Sequence, residues 1–122
     1  MPPSEHKRVF RRLIQEVFNN GRLAILGELL TTNFVDHSPC RPVGGTEALR
    51  ERIVLLRRAM PDLQVRVDDL AAAGDMTWGS ITVCGSGLRF SQTDTCRYVD
   101  GRIAEYWSET ADLMEQLGIT VT

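Results

Sequence analysis

No stretch of this 122-residue chain approaches the ~20 consecutive apolar residues that a membrane-spanning helix needs. The opening run Met1-Pro2-Pro3-Ser4-Glu5 lacks the apolar centre of a secretory signal. A cytoplasmic protein with no membrane partner is therefore expected. An excess of charge of one sign is also missing: 14 basic and 16 acidic side chains leave a formal net charge of −2. Arg is spread along the chain among Glu and Asp, so nothing points to nucleic acid as a partner. Cysteine is scarce, with only Cys40, Cys84 and Cys96. These lack metal-ligand spacing such as C-x-x-C, and an odd number cannot pair completely within one chain. Reduced thiols used as small, half-buried side chains are expected. Gly44-Gly45 lacks the G-x-G-x-x-G spacing of a phosphate-binding loop and follows no full strand. Nothing suggests a Ser–His–Asp nucleophile, and histidine is limited to His6 and His37. Repeats, low-complexity tracts and linkers are absent.

What is present is an ordinary globular composition, 43% hydrophobic and 25% charged, on a chain sized for one domain. Ser4 can cap a helix whose apolar positions are Val9, Phe10, Leu13, Ile14, Val17 and Phe18. Asn19-Asn20-Gly21 ends it. A short second helix is predicted through Leu23, Ile25, Leu26, Leu29 and Leu30, then a brief extended segment over residues 33–39. Thr46 can cap a third helix with the stripe Leu49, Ile53, Leu56 and Met60, stopped by Pro61. Strands are predicted over 64–70, 76–84, 88–99 and 102–110, separated by Gly74-Asp75, Gly85-Ser86-Gly87 and Asp100-Gly101. A closing turn of helix over 111–116 completes the reading. Helices followed by hairpins predict an α+β fold, three N-terminal helices packed on a curved, mainly antiparallel sheet. A ligand would sit between the two layers.

Hairpin register decides which side chains share that space. Three-residue loops at Gly85-Ser86-Gly87 and Val99-Asp100-Gly101 would set Trp78 opposite Asp94, Ser80 opposite Gln92, and Asp94 opposite Tyr106. One face would then gather Trp78, Ser80, Phe90, Gln92, Asp94, Tyr98, Tyr106 and Ser108. The other would carry Arg97, Ile103, Glu105 and Trp107. Aromatics mixed with an acid, an amide and hydroxyls look more like a small-molecule site than a plain core. A slip of one residue in either turn would exchange the faces.

Several motifs occur in a telling order: Phe18-Asn19-Asn20-Gly21, Val35-Asp36-His37-Ser38-Pro39 with Gly45, Met60-Pro61-Asp62-Leu63, Gly74-Asp75, the run Arg97-Tyr98-Val99-Asp100-Gly101-Arg102-Ile103-Ala104-Glu105-Tyr106-Trp107, and Gln116-Leu117-Gly118. In this the chain resembles the SnoaL-like polyketide cyclases of the nuclear transport factor 2-like superfamily, over almost its whole length, as one domain of residues 1–122. The resemblance implies an α+β cone, a homodimer, and a small hydrophobic or polyketide-like substrate handled without metal or cofactor. It also implies ring closure by aldol chemistry, with an Asp one residue after the last strand's Trp and a His just before it. This sequence has Ser108 and Tyr106 at those positions. The family's supporting His falls at Asp94, with Gln92 two residues earlier. The hairpin after Cys84 is shorter than in most relatives.

Asp94 is thus the leading candidate for a general base, its pKa raised by aromatic neighbours; otherwise it is a rim acid, solvated or paired with Arg97 or Arg102. Tyr106 would hold an oxyanion, or serve as a core aromatic with a wet hydroxyl. Trp78, Phe90, Gln92, Ser108 and Tyr98 would line the substrate site. His37 either braces the loop at its mouth or acts as a second acid/base, and His6 is expected to be solvated. Glu109 and Asp112 are read as an acidic helix start, Asp112 also as a substitute base. Trp107 is assigned to outer-face packing or a dimer contact. The expected activity is acid/base ring closure or isomerisation of a carbonyl substrate. A non-catalytic binding module, and a hydroxylase or epoxide-opening enzyme, are the alternatives.

Overall fold

The computed structural model describes residues 2–37 and 44–108. Cys40, Glu109, Asp112 and the expected closing helix lie outside the described residues. Helix α1 (Pro3–Arg12) starts from Pro2, and no side chain caps it. Pro3 already has the backbone angle of a first helical residue and no N–H to satisfy, so the expected Ser4 cap is not used. The helix widens into a π-helical segment (Leu13–Asn19), and Phe10, Leu13, Ile14, Val17 and Phe18 are all buried.

A 3₁₀ turn (Leu23–Ile25) and the single-turn α2 (Leu26–Leu29) lead into β1 (Leu30–Asp36), a fuller strand than expected. Helix α3 (Thr46–Ala59) follows, then β2 (Gln64–Ala73), β3 (Met76–Gly85), β4 (Leu88–Val99) and β5 (Arg102–Ser108). The five strands form one sheet in the order β1-β5-β4-β3-β2, antiparallel except for β1 beside β5. Helix α1 packs on β2 and β3, and α3 on β1. The core between these layers includes Phe10, Ile14, Leu49, Ile53, Ile81 and Ile103. Among the described residues no helix is long and apolar enough to cross a membrane.

The hairpins differ from expectation by single residues, and the consequences are large. The β3–β4 turn is the two-residue Ser86-Gly87, both with positive φ, between paired Gly85 and Leu88. Trp78 therefore faces Thr95 instead of Asp94, and Ser80 faces Thr93. Both side chains turn to the outer face, where Trp78 is 41% exposed. The β4–β5 turn is likewise two residues, Asp100-Gly101, but a bulge between Arg97 and Tyr98 adds a second displacement. Beyond the bulge the two displacements restore the expected faces, so Cys96 opposes Tyr106 and Asp94 opposes Ser108. Between turn and bulge only one displacement acts. Tyr98 there pairs with Ile103, which enters the core instead of the outer face.

The Phe18-Asn19-Asn20-Gly21 motif has a clear structural use. The Asn19 amide donates to Val65 O at 2.8 Å and accepts from Val65 N–H at 2.7 Å, closing both backbone groups of that edge-strand residue. Arg57 Nη1 donates to the carbonyls of Phe18 and Asn19 at 2.7 and 2.8 Å. Asn19→Ala removes both bonds to β2 and is expected to cost about 1–2 kcal/mol in urea denaturation. Asn19→Asp, which keeps only the acceptor, should fall between. Wild-type stability in the alanine variant would refute this role.

Candidate active site

Alternation along β4 turns Gln92, Asp94, Cys96 and Tyr98 inward, and β5 adds Tyr106 and Ser108 beyond its bulge. From β1 comes Asp36, two residues after the buried Phe34. From α3 comes Arg52, buried on the same stripe as Leu49, Ile53 and Leu56. Neither Asp36 nor Arg52 was among the candidates chosen from sequence. The signals were present: a charged residue three after Leu49 and four before Leu56, and an acid at the inward beat of a strand.

These residues form one hydrogen-bonded cluster. Tyr106 donates its hydroxyl to Asp94 Oδ2, and Gln92 Nε2 donates to Asp94 Oδ1 at 3.0 Å. Gln92 Nε2 also lies 3.4 Å from Ser108 Oγ. Arg52 Nη1 pairs with Asp36 Oδ2 at 3.1 Å, and Nη2 donates to Ser108 Oγ at 3.3 Å. The guanidinium sits 5.7 Å from the centre of the Tyr106 ring. Asp94 and Arg52 are each 1% exposed and Tyr106 is fully buried.

Burial lifts the Asp94 carboxyl above its ordinary value near 3.8. The Tyr106 hydroxyl, the charge of Arg52, and bonds from Gln92 and Ser108 pull it partly back. Burial, then the neighbouring Asp94 charge, pushes the Tyr106 hydroxyl well above its usual range, so it stays a neutral donor. Buried Cys96 is raised in the same way, with Asp94 and Asp36 both contributing. A desolvated carboxylate held by a neutral phenol is suited to taking a proton from carbon.

A carboxyl raised on folding binds its proton more tightly in the native state. Its contribution to stability is therefore full below pH ~3.8 and lost as pH rises through the native value. Asp94→Asn should thus gain stability relative to wild type as pH increases above ~4, with no such gain in stronger acid. Parallel denaturation curves for the two proteins from pH 3 to 8 test this. A stability difference independent of pH would contradict the desolvated state of Asp94.

The other candidates are placed elsewhere. Phe90 lies on the inner face, partly buried against the core. Tyr98 is inward but belongs to a second polar group: its hydroxyl is 2.9 Å from Thr77 Oγ1, and its ring stacks on His6 at 4.3 Å. His6 is buried, not solvated, because its position on α1 faces the sheet; its Nδ1 has no hydrogen-bond partner among the described residues. His37 is not on the inner face with Asp94. It follows Asp36, which points inward, and so turns outward. There its Nε2 meets Glu105 Oε2 at 2.7 Å and its ring stacks on Trp107 at 4.9 Å. Arg97 Nε holds the other Glu105 oxygen at 2.6 Å, so Asp94 is not Arg97's partner. Arg97 first, then His37, keeps the Glu105 carboxyl below its ordinary range. Trp78, as above, is on this outer side too.

Cys84 and Cys96 are free thiols. Among the described residues no three His, Cys, Asp or Glu side chains group as metal ligands. A groove of about 440 Å³ between the π-helical segment and β2 is lined by residues including Ile14, Asn19, Val65, Arg66 and Thr82, and contains none of the cluster.

The SnoaL-like polyketide cyclase family model matches residues 8–117. Among solved structures, the chain is similar to a candidate polyketide cyclase from Bacillus cereus ATCC 10987, with 26% identity and a TM-score of 0.80 over 96% of this chain and 83% of that one. It is similar to IdmH, a candidate polyketide cyclase from Streptomyces antibioticus, with 25% identity and a TM-score of 0.75 over 93% and 99% of the two chains. AclR, a candidate hydroxylase from Streptomyces galilaeus, shares the fold at 22% identity and a TM-score of 0.74, over 96% and 83%. No curated protein matches the sequence.

Proposed function

This chain belongs to the SnoaL-like polyketide cyclase family, and on that premise we propose that it moves a proton next to a carbonyl group of a small hydrophobic, polyketide-like substrate. The observation that carries this reading is the buried Asp94 carboxylate, held by the Tyr106 hydroxyl and raised in proton affinity by desolvation. Asp94 takes the proton from carbon, and the C–H electron pair becomes the enolate. Once Asp94 carries that proton, its carboxyl can donate to the Tyr106 oxygen, which frees the phenolic O–H for the enolate oxygen. Gln92 Nε2, between Asp94 and Ser108, is a second donor in reach. Attack of the enolate carbon on a second carbonyl of the same molecule closes a ring, and the proton held by Asp94 returns to the new alkoxide. Return of the proton to a different carbon gives isomerisation instead. Either outcome is redox-neutral and loses no atoms.

A second reading, a binding module of the same fold, is favoured by one observation: the polar groups of Asp94, Tyr106, Gln92 and Ser108 satisfy one another. Deuterium uptake into a ketone probe, with Asp94→Asn as control, separates the two. Epoxide opening, in which an acid and a base flank an attacking water, is less favoured, because Tyr106 bonds Asp94 directly. A homodimer would use the outer sheet face, where Trp78 and Trp107 lie, without Ile103.

A further inference from the structure

Two buried carboxylates and one buried guanidinium share the inner face, and they are not equivalent. Arg52 pairs directly with Asp36 at 3.1 Å, and its other terminal nitrogen donates at 3.3 Å to Ser108 Oγ, the strand partner of Asp94. Among the described residues, the titratable and charged groups acting on Asp94 include Arg52 from α3, Tyr106 from β5 and Cys96 from β4, and Asp36 from β1 joins the cluster through its ion pair with Arg52. Facing Asp94 from β3 is Gly79, and over Gly79 lies Phe10 from α1, neither of which ionises. Both carboxylates are buried, and the Arg52 guanidinium bonds Asp36 on one side and Ser108, the strand partner of Asp94, on the other.

We propose that Arg52 is a positioning residue for the Asp94 carboxylate, with Asp36 competing for the same positive charge. Arg52, buried in the same cluster, stabilises the Asp94 carboxylate. Asp36 holds the guanidinium in place and, being negative, opposes ionisation of Asp94. The pair thereby leaves Asp94 ionisable yet more basic than a solvated acid. This inference rests on the reading of Asp94 as the base, and it has its own readout.

The experiment is a carboxyl-carbon NMR titration of Asp94 in the whole protein, with Asp94→Asn to assign the signal. Arg52→Gln should raise the Asp94 midpoint by about 1–3 pH units, since a nearby cation of this kind lowers a carboxylate by that much. Arg52→Lys keeps the charge but cannot span Asp36 and Ser108 together, so its midpoint should lie between those of wild type and Arg52→Gln. Asp36→Asn should move the midpoint down. Opposite movements in the two variants are not what a merely structural role of Arg52 would produce. An unchanged midpoint in folded Arg52→Gln overturns the proposal. Should that variant not fold, Asp36→Asn decides alone, and an unchanged or raised midpoint there overturns it equally. Failure of the base reading looks different: Asp94→Asn would keep its proton-exchange activity whatever the midpoints do.

Discussion

Asp94→Asn is expected to slow deuterium exchange next to the carbonyl of a bicyclic ketone probe, 2-tetralone, by about 10²–10⁴-fold. The substitution is nearly isosteric. The Asn oxygen can still accept from Tyr106, while its NH₂ faces Gln92, whose amide can turn to present its oxygen. The fold should therefore persist, and circular dichroism should be unchanged. What is lost is the one buried carboxylate that accepts the Tyr106 proton-donating bond. Tyr106→Phe should reduce exchange less, because it leaves the base in place. Exchange in Asp94→Asn within about twofold of wild type would remove Asp94 as the base. No exchange above background in the wild-type protein would favour the binding-module reading.

Gly79→Val is expected to destabilise the protein by about 1–3 kcal/mol or more, the usual cost of overfilling a packed core. A Cβ at Gly79 would lie 2.5 Å from Phe10 Cζ and 2.7 Å from Cε1, with the ring itself fully buried. A buried ring in a close-packed core has little room to swing, so α1 is expected to lift from β3. Because Gly79 pairs with Asp94, the lift occurs over the cluster. Phe10→Ala alone should cost about 3–5 kcal/mol through the void it leaves. The double variant should cost less than the sum, because the new side chain fills the space the ring vacates. Strictly additive costs in urea denaturation, or a Gly79→Val protein as stable as wild type, would show that this contact does not hold α1 to the sheet.

Much of the fold could be read directly from the sequence. Helical spacing of Val9, Phe10, Leu13, Ile14, Val17 and Phe18 identified the first helix, although widening to a π-helix at Leu13 left no mark in the pattern. Gly74-Asp75, Ser86-Gly87 and Asp100-Gly101 are turns where their chemistry demanded them. What failed was the count of residues in two turns. At β3–β4 the error of one stood uncorrected and put Trp78 on the wrong face. At β4–β5 the bulge restored the face but not the pairing: Asp94, Tyr106 and Ser108 all point inward, yet Asp94 pairs with Ser108 and Tyr106 with Cys96. Ala104, the extra residue of that bulge, is an unremarkable small side chain, so the sequence held no local sign of it.

The sequence by itself determined the order of the helices and strands and the family, because periodicity and turn chemistry depend on residues a few positions apart. It also determined that an acid, an amide, a phenol and a hydroxyl could share one face of a hairpin pair. Only the tertiary structure decided that Arg52 and Asp36 join them, that His37 leaves for Glu105 and Trp107, and that His6 is buried against Tyr98. Those contacts join α3 to β1, β1 to β5 and α1 to β4, segments separated by up to 92 positions between His6 and Tyr98. Their geometry follows from how helices settle on a twisted sheet whose register one bulge can reset, and no nearest-neighbour pattern encodes that.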